Sequence, residues 1–381
     1  IQFSGLISIV GILKKNINKI QDYKNSIKEF YIILIFLSLP VLVFLNSTAK
    51  PQLIFLGYTT LAFSISFFDF DKKDKDNNFF KYFLIIVLLF VSFEGKFSFI
   101  LSGFIIWTVS SLKILKQGKY QTFIIVNLVL IILAFPSLYW KYLNYNGNFI
   151  NKIYFPFFRP LEGYTSLYNS INACEWPCNK SFFLFPNSLG RYTESIGVAM
   201  IAPILLLFSN IKKNILIIFS IIFYFFIIYK FGKFSARFLI EPIIWSLIAI
   251  KYSKFSFNFK YLGILKFYIF IQSFVTFSAI VFGIITISIG SLTPALKNFV
   301  LTNTAYGYEL SKWVSSNLSN NNRVLYTHRS ISLPKVDVIS SDFLLYSESV
   351  TYLELLKQKK PEFLVFQSNS PDRVKKLISC T

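Results

Sequence analysis

An acidic and a basic residue flank a single glycine in the segment VSFEGKFSF, where Glu94 and Lys96 separate two apolar stretches. Ionisable groups within apolar sequence are costly to bury and often mark functional positions, and Gly95 permits a tight turn between them. In the functional interpretation Lys96 neutralises a phosphate, and Glu94 holds a metal, a sugar hydroxyl or the lysine. In the structural interpretation the segment is a hairpin turn with extended charged ends.

A second charged pair occurs in KFSARFLIEPIIW, where Arg237 and Glu241 are four residues apart. This spacing predicts a shared helix face, and Pro242 would loosen the helix that follows. The planar guanidinium of Arg237 suits bidentate binding of a phosphate. The alternative is a structural ion pair that offsets the cost of burying both charges.

His328 is the only histidine and is followed by Arg329 in LYTHRSIS. One histidine without a second ligand motif predicts no zinc site, and it does not define a catalytic triad. His328 is then a packing or surface residue, or it reaches with Arg329 toward a polar head group. In the segment CEWPC, Cys174 and Cys178 are predicted to form a disulfide in an oxidising compartment.

Composition decides the class of protein. Hydrophobic residues make up 54%, phenylalanine alone occurs 46 times, and charged residues make up 15% of the 381 residues, against about 25% in soluble domains. A soluble globule of this size has too little interior to hide that apolar surface. The basic residues that give the chain its net charge of +21 lie between apolar runs, where such residues set membrane topology. We therefore predict no nucleic-acid partner.

Apolar runs predict about ten membrane-spanning helices, since a span needs ~20 mostly apolar residues. The chain starts at Ile1 within such a run, so we expect its N-terminal part to be missing. The predicted segments lie near 1–13 (partial), 30–46, 52–68, 79–93, 97–112, 122–136, 195–209, 214–230, 236–250 and 264–288.

The connections between these segments alternate in basic content. Seventeen basic residues fall in one set of connections and five in the other. The positive-inside rule places the first set in the cytoplasm. The sequence therefore predicts a multi-pass protein of the cytoplasmic membrane, with the loop 137–194 and the C-terminal region outside.

The C-terminal region differs in composition from the apolar chain before it. We therefore predict a transmembrane domain at 1–289 and a small extracytoplasmic α/β domain at 290–381. Its helices alternate with short strands, which is typical of that class. The predicted elements are helices at 309–318, 349–360 and 371–379 and strands at 323–327 and 362–367.

The outer loop 137–194 is rich in Tyr, Asn, Phe and Pro and contains Arg159 and Glu162 in FPFFRPLEGY. Long connections of this kind are functional or disordered, and the aromatic content argues against disorder. The loop is either a functional lid or a set of aromatic side chains lying in the membrane interface.

Three segments resemble the GT-C membrane glycosyltransferases of the dolichyl-phosphate-mannose or aminoarabinose transferase type. The run LLFVSFEGKFSFILSGFIIW resembles their outer turn with a lysine, and GKFSARFLIEPIIWSLIAI is similar to their "RYLLP" helix. ELSKWVSSNLSNNNRVLYTHRSISL resembles the start of their outer domain. The likeness extends from about residue 30 to 370.

The resemblance implies sugar transfer from a polyprenyl-phosphate donor at the outer face of the membrane. Lys96 and Arg237 would bind the donor phosphate, and the catalytic base would lie before the first residue of this chain. Glu94 would match a secondary acidic position. The remaining candidate substrate contacts are Arg159, Glu162, His328 and Arg329.

No cofactor is identified from the sequence, and a divalent metal stays open as an alternative. The expected partners are the lipid-linked sugar donor and membrane lipids. The alternative functions are those of a non-enzymatic polysaccharide flippase or transporter, or of a ligase or polymerase subunit.

Overall fold

A computed structural model describes eleven stretches of the chain. The first lies in the first apolar run, and the last contains a strand of the C-terminal sheet. The described residues are 2–14, 23–47, 52–70, 77–144, 195–208, 211–231, 236–253, 263–305, 307–326, 334–340 and 360–365. The helices predicted at 349–360 and 371–379 lie outside them and stay predictions.

The contacts divide the described residues into two compact units, the first up to Gly283 and the second from Ile284. The domain division predicted after residue 289 stays a prediction. The first unit is helical, and its last helix continues into the second. Its helices are α1 (Gln2–Lys14), α2 (Tyr23–Leu37), α3 (Val41–Ser47), α4 (Gln52–Ser64), α5 (Asn77–Gly95), α6 (Ile100–Lys116), α7 (Tyr120–Asn144), α8 (Ile201–Phe208), α9 (Ile211–Phe231), α10 (Ala236–Tyr252) and α11 (Gly263–Ile289).

Within the described stretches, four helical segments are long and apolar enough to cross a membrane. They are Gln52–Asp69, Asn78–Gly95, Tyr120–Ser137 and Gly263–Ile289. This confirms a helical protein with membrane-length apolar helices, while the number of ten spans stays a prediction.

Side-chain contacts show that α4 and α5 are antiparallel. Lys96 Nζ donates a hydrogen bond to Gln52 Oε1, and one turn earlier on α5, Ser92 Oγ lies 3.4 Å from the carbonyl oxygen of Phe55. The last turn of α5 therefore packs on the first turn of α4. This direction agrees with the alternation of the basic connections.

Helix α10 runs parallel to α4. Glu241 contacts Thr59, and one turn further along both helices the Trp245 and Phe63 rings stack with centroids 4.9 Å apart. The predicted topology gives the segments 52–68 and 236–250 this same direction. Parallel packing brings the C-terminal ends of both helices to one face of the unit.

Lysine side chains cap the carboxyl-terminal ends of helices at that face. Lys28 Nζ donates to the carbonyl oxygens of Lys251 at 2.9 Å and Ser253 at 2.5 Å. Lys251 Nζ in turn donates to the carbonyl oxygen of Ile12 at 3.0 Å. The last turn of a helix exposes carbonyl groups and carries the negative end of the helix dipole, so an ammonium group there is well placed.

The same arrangement closes α4, which continues into a π-helical turn, Ile65–Asp69. Lys113 Nζ donates to the carbonyl oxygens of Ser66 at 2.5 Å and Phe67 at 3.3 Å, and Lys81 Nζ donates to that of Asp69 at 2.8 Å. The capping lysines Lys28, Lys81, Lys113 and Lys251 all belong to the set predicted to be cytoplasmic.

The segment predicted at 30–46 is interrupted in the structure, while its prediction as a membrane span stays a prediction. Helix α2 ends at Leu37, and α3 begins at Val41. The cause is Pro40, which lacks an N–H group and disfavours helical geometry in the residue before it. The break leaves backbone groups that another element must satisfy.

The second unit contains a three-stranded parallel sheet with strand order β2-β1-β3. Val314, Val324 and Tyr326 are buried together in its core, and the Tyr326 hydroxyl lies 3.1 Å from Ser311 Oγ. This confirms a small α/β unit and the elements predicted near 309–318, 323–327 and 362–367. The elements are α12 (Pro294–Thr304), α13 (Tyr308–Asn317), β1 (Arg323–Tyr326), β2 (Asp337–Ser340) and β3 (Phe363–Val365); α12 and β2 were not predicted.

Candidate functional site

The most buried carboxyl group among the described side chains of the first unit belongs to Glu241, which is 4% exposed. Thr59 Oγ1 lies 3.0 Å from Glu241 Oε1, and the Tyr224 hydroxyl lies 3.0 Å from Oε2. Ser102 also hydrogen-bonds this carboxyl group. Helices α4, α6, α9 and α10 therefore meet around one acidic side chain.

Aromatic rings line the α9 and α10 side of this carboxyl group. Trp245 stacks on Phe63 and meets the Tyr224 ring edge-on, with ring centroids 5.5 Å apart. All three rings are fully buried. Polar interactions inside such an apolar shell are stronger than in water, and unpaired polar groups cost more.

Glu94 and Lys96 contact two different neighbouring helices. Lys96 Nζ donates to Oε1 of the buried Gln52 on α4 at 2.5 Å. Ser137 Oγ on α7 donates to Glu94 Oε2 at 2.5 Å. The two charged side chains are thus each fixed by a polar residue at one end of the bundle.

Gly95 between them is the last residue of α5, and the chain turns directly after it into the 3₁₀ turn Phe97–Phe99 and α6. A Cβ at Gly95 would lie 1.9 Å from the Phe55 ring. The missing side chain therefore also lets α5 approach α4 closely enough for Lys96 to reach Gln52.

The Glu241 carboxyl group lies deeper in the bundle than Lys96. Their contacts on α4, Thr59 and Gln52, are seven residues apart, or about 10 Å at 1.5 Å per residue. Arg237 is in the first turn of α10, one turn before Glu241. Its side chain lies outside the described side chains, so the Arg237–Glu241 pair and the convergence of Arg237 with Lys96 stay predictions.

Several predicted site residues lie outside the described residues altogether. Their proposed substrate contacts and the disulfide therefore stay predictions. They are Arg159, Glu162, Cys174, Cys178, His328 and Arg329. Among the residues that the structure describes, no group of three or more acidic, cysteine or histidine side chains is placed to hold a metal ion.

A second polar centre, which sequence reasoning missed, is Gln272 on α11. Its Nε2 donates to the carbonyl oxygen of Ser38 at 2.6 Å, and its Oε1 accepts from the backbone N–H of Val198 at 3.2 Å. Ser38 lies in the break between α2 and α3, and Val198 lies in a short 3₁₀ turn, Gly197–Met200, before α8. One buried amide thus satisfies a backbone carbonyl in the break between α2 and α3 and a backbone N–H in the turn before α8.

The sequence carried a signal for this centre in Pro40, Gly197 and a glutamine inside an apolar run. Gly197 has φ +63°, and a Cβ there would lie 1.8 Å from Gln272 Nε2. Thr59, Ser102 and Tyr224 gave no comparable signal, because isolated hydroxyl residues are common in apolar helices.

A family model for the DUF1420 N-terminal domain matches residues 1–301. The chain belongs to the DUF1420 family. The match spans all helices of the first unit and ends within α12, so it contains Glu94, Lys96, Glu241 and Gln272. No curated protein and no solved structure matches the chain. Both polar centres therefore lie within the part of the chain that matches the DUF1420 domain, and the strands of the C-terminal sheet follow it.

Proposed function

We propose that this DUF1420 protein transfers a sugar from a polyprenyl-phosphate donor to an acceptor at the outer face of the cytoplasmic membrane. The observation that supports this most is the anchoring of Lys96 and Glu94 at one end of the bundle. Gln52 holds the ammonium group and Ser137 holds the carboxylate. A cation and an acid fixed at the same end of the bundle suit a phosphate and a sugar hydroxyl, respectively.

In this reaction a carboxylate removes the proton of the acceptor hydroxyl. The hydroxyl oxygen then bonds to C1 of the sugar, the bond from C1 to the phosphate oxygen breaks, and polyprenyl phosphate leaves with the electron pair. Negative charge grows on the phosphate, and fixed cations stabilise it. Lys96 and Arg237 are assigned this role, while Glu94 positions a sugar hydroxyl; the general base is assigned to no described residue.

Binding of polyprenyl phosphate alone tests the assignment without knowledge of the sugar. The protein is reconstituted in lipid nanodiscs, and binding of polyprenyl phosphate is compared with that of polyprenol. We expect preferential binding of the phosphate and a loss of roughly 10- to 100-fold for Lys96→Ala, the range for one charge-assisted hydrogen bond. The control is Lys297→Ala, at an exposed lysine on α12.

Equal binding of the phosphate and the alcohol would contradict the proposal, as would unchanged affinity in Lys96→Ala. The enzymatic step itself is tested with polyprenyl-phosphate-linked sugars, by release of the free lipid phosphate. Lys96→Ala is expected to lower kcat/KM because the missing charge acts on the leaving group.

The second candidate function is lipid or sugar translocation, and the Gln272 contacts favour it. Gln272 joins the break between α2 and α3 to the turn before α8, and discontinuous helices inside a bundle are typical of substrate sites in transporters. Proteoliposomes with a fluorescent polyprenyl-phosphate lipid separate the two functions. Translocation that is lost in Gln272→Leu supports the second, whereas lipid-phosphate release without translocation supports the first.

A further inference from the structure

The hydroxyl groups around Glu241 have fewer protons than acceptors. The Tyr224 hydroxyl lies 3.0 Å from Glu241 Oε2 and also 3.0 Å from the carbonyl oxygen of Phe238. A phenol has one proton, so it donates fully to only one of these. If it donates to Phe238, the short contact with Oε2 needs a proton from the other side.

Thr59 repeats this competition on the other carboxyl oxygen. Its Oγ1 lies 3.0 Å from Glu241 Oε1 and 3.1 Å from the carbonyl oxygen of Leu56. Ser102, which also contacts the carboxyl group, donates to the carbonyl oxygen of Phe99 at 2.9 Å. Each hydroxyl around Glu241 is thus shared with a backbone carbonyl, so an ionised carboxylate would be incompletely solvated by its neighbours.

One proton on Glu241 supplies the donor that the two contacts of Tyr224 lack. The neutral carboxyl group then donates from Oε2 to Tyr224, and Tyr224 donates to the Phe238 carbonyl. Oε1 still accepts from Thr59, whose second acceptor, the Leu56 carbonyl, also receives the hydroxyl proton of Thr60 at 2.6 Å. Every contact in the chain from Thr59 to Phe238 then has a donor.

Charged groups around α10 do not supply a compensating charge in the described part of the chain. Tyr224 is the titratable neighbour that touches the carboxyl group. Lys28 and Lys251 bind carbonyl oxygens at the opposite end of α10, ten residues or about 15 Å away. Lys14 and Glu29 lie at that same end. Arg237 and Lys230 lie toward the near end, and their side chains are outside the described ones.

We propose that Glu241 is a proton-binding site of the DUF1420 domain, occupied at neutral pH, in which the neutral acid donates to Tyr224 and links α10 to α9. Deprotonation would place a negative charge among Phe63, Tyr224 and Trp245 and loosen this junction. The proposal is independent of sugar transfer, because it concerns the resting protein.

Infrared spectroscopy of the reconstituted protein tests the protonation state directly. A protonated carboxylic acid has a C=O stretch that is separate from the bands of carboxylates. We expect a band of this kind at neutral pH that is absent in Glu241→Gln and unchanged in Glu309→Gln, a control at an exposed glutamate. A spectrum in which Glu241→Gln removes only carboxylate bands would overturn the proposal and favour an ion pair with Arg237.

Thermal unfolding gives a second, independent readout. Glutamine reproduces the neutral acid, because its amide donates to Tyr224 and its carbonyl accepts from Thr59. We expect Glu241→Gln to fold and unfold at the wild-type temperature at neutral pH, while Glu241→Leu and Tyr224→Phe unfold earlier. Because the carboxyl group of the unfolded chain ionises at lower pH than that of the folded protein, the stability of the wild type relative to Glu241→Gln should fall as the pH rises from about 4. The difference between the two proteins is the readout, since both contain Lys28. Failure of Glu241→Gln to fold, or a loss equal to that of Glu241→Leu, would also overturn the proposal.

Discussion

The ammonium group of Lys28 lies 2.9 Å from the carbonyl oxygen of Lys251. Lys28, which precedes the apolar part of α2, therefore caps the C-terminal end of α10. The two residues are 223 positions apart in sequence. Lys28 is only 7% exposed, although it belongs to a basic connection that predicts a solvated charge. Because it is buried, Lys28 loses its proton at a lower pH than an exposed lysine does.

The unfolding free energy should rise with pH because of Lys28. Burial lowers its pKa from 10.5 to about 8, so between these pH values the unfolded chain binds more protons than the folded one. Stability therefore increases through this window, by an amount on the order of 2 kcal/mol.

The Lys28 prediction is checked by unfolding the detergent-solubilised protein at a series of pH values. In Lys28→Met this rise should become smaller without vanishing, because burial also lowers the pKa of Lys113 to about 8. Lys14→Met, at an exposed lysine of α1, should keep the full rise. A Lys28→Met variant with the wild-type pH profile would show that another group causes the dependence.

Alanine at Gly95 should destabilise the protein, because its Cβ would lie 1.9 Å from the Phe55 ring. Overpacking of this kind costs about 1–3 kcal/mol. The matched control is Gly103→Ala on α6, where nothing lies within 4 Å of the added Cβ and the higher helix propensity should stabilise by up to about 1 kcal/mol.

The cause of the Gly95 effect is checked with a double-mutant cycle. Adding Phe55→Leu to Gly95→Ala should recover part of the lost unfolding free energy, since the smaller side chain removes the clash. Equal losses with and without Phe55→Leu would mean that the ring is not what excludes a side chain at Gly95.

Replacing Gln272 by leucine should cost about 2–4 kcal/mol of unfolding free energy. The change leaves the carbonyl oxygen of Ser38 and the N–H of Val198 without this partner inside an apolar bundle, and each buried unsatisfied group costs about 1–3 kcal/mol. Thr276→Val, one turn further along α11, is the control: its buried Oγ1 has no hydrogen-bond partner among the described residues, so its loss should be nearly neutral. Similar losses of unfolding free energy in both variants would argue against a stabilising role for the hydrogen bonds of Gln272 to Ser38 and Val198.

The C-terminal α/β unit is predicted to lie outside the cytoplasm. The basic connections place it there by the positive-inside rule. Alkaline phosphatase fused after Thr381 should be active and a cytoplasmic reporter at the same position inactive, with the reverse pattern for fusions between α6 and α7 at Gly118. An active cytoplasmic reporter after Thr381 would refute this topology.

The sequence by itself determined the class of protein and the approximate elements. Apolar runs predict helices because the backbone must satisfy its own hydrogen bonds in lipid, and this property is local. In the C-terminal unit the helix near 309–318 and the strands near 323–327 and 362–367 were also accessible, since they follow from periodicity within a few residues.

Only the tertiary structure decided which polar groups meet. Glu241 was paired in sequence with Arg237 at one turn, but its described partners are Thr59, 182 residues away, and Tyr224 on another helix. Gln272 likewise joins Ser38 and Val198 across 234 and 74 residues. Helix packing sets these distances: an apolar helix can place a given face against many neighbours, and the hydrogen-bond partner of a buried polar side chain depends on which neighbour the whole bundle brings there.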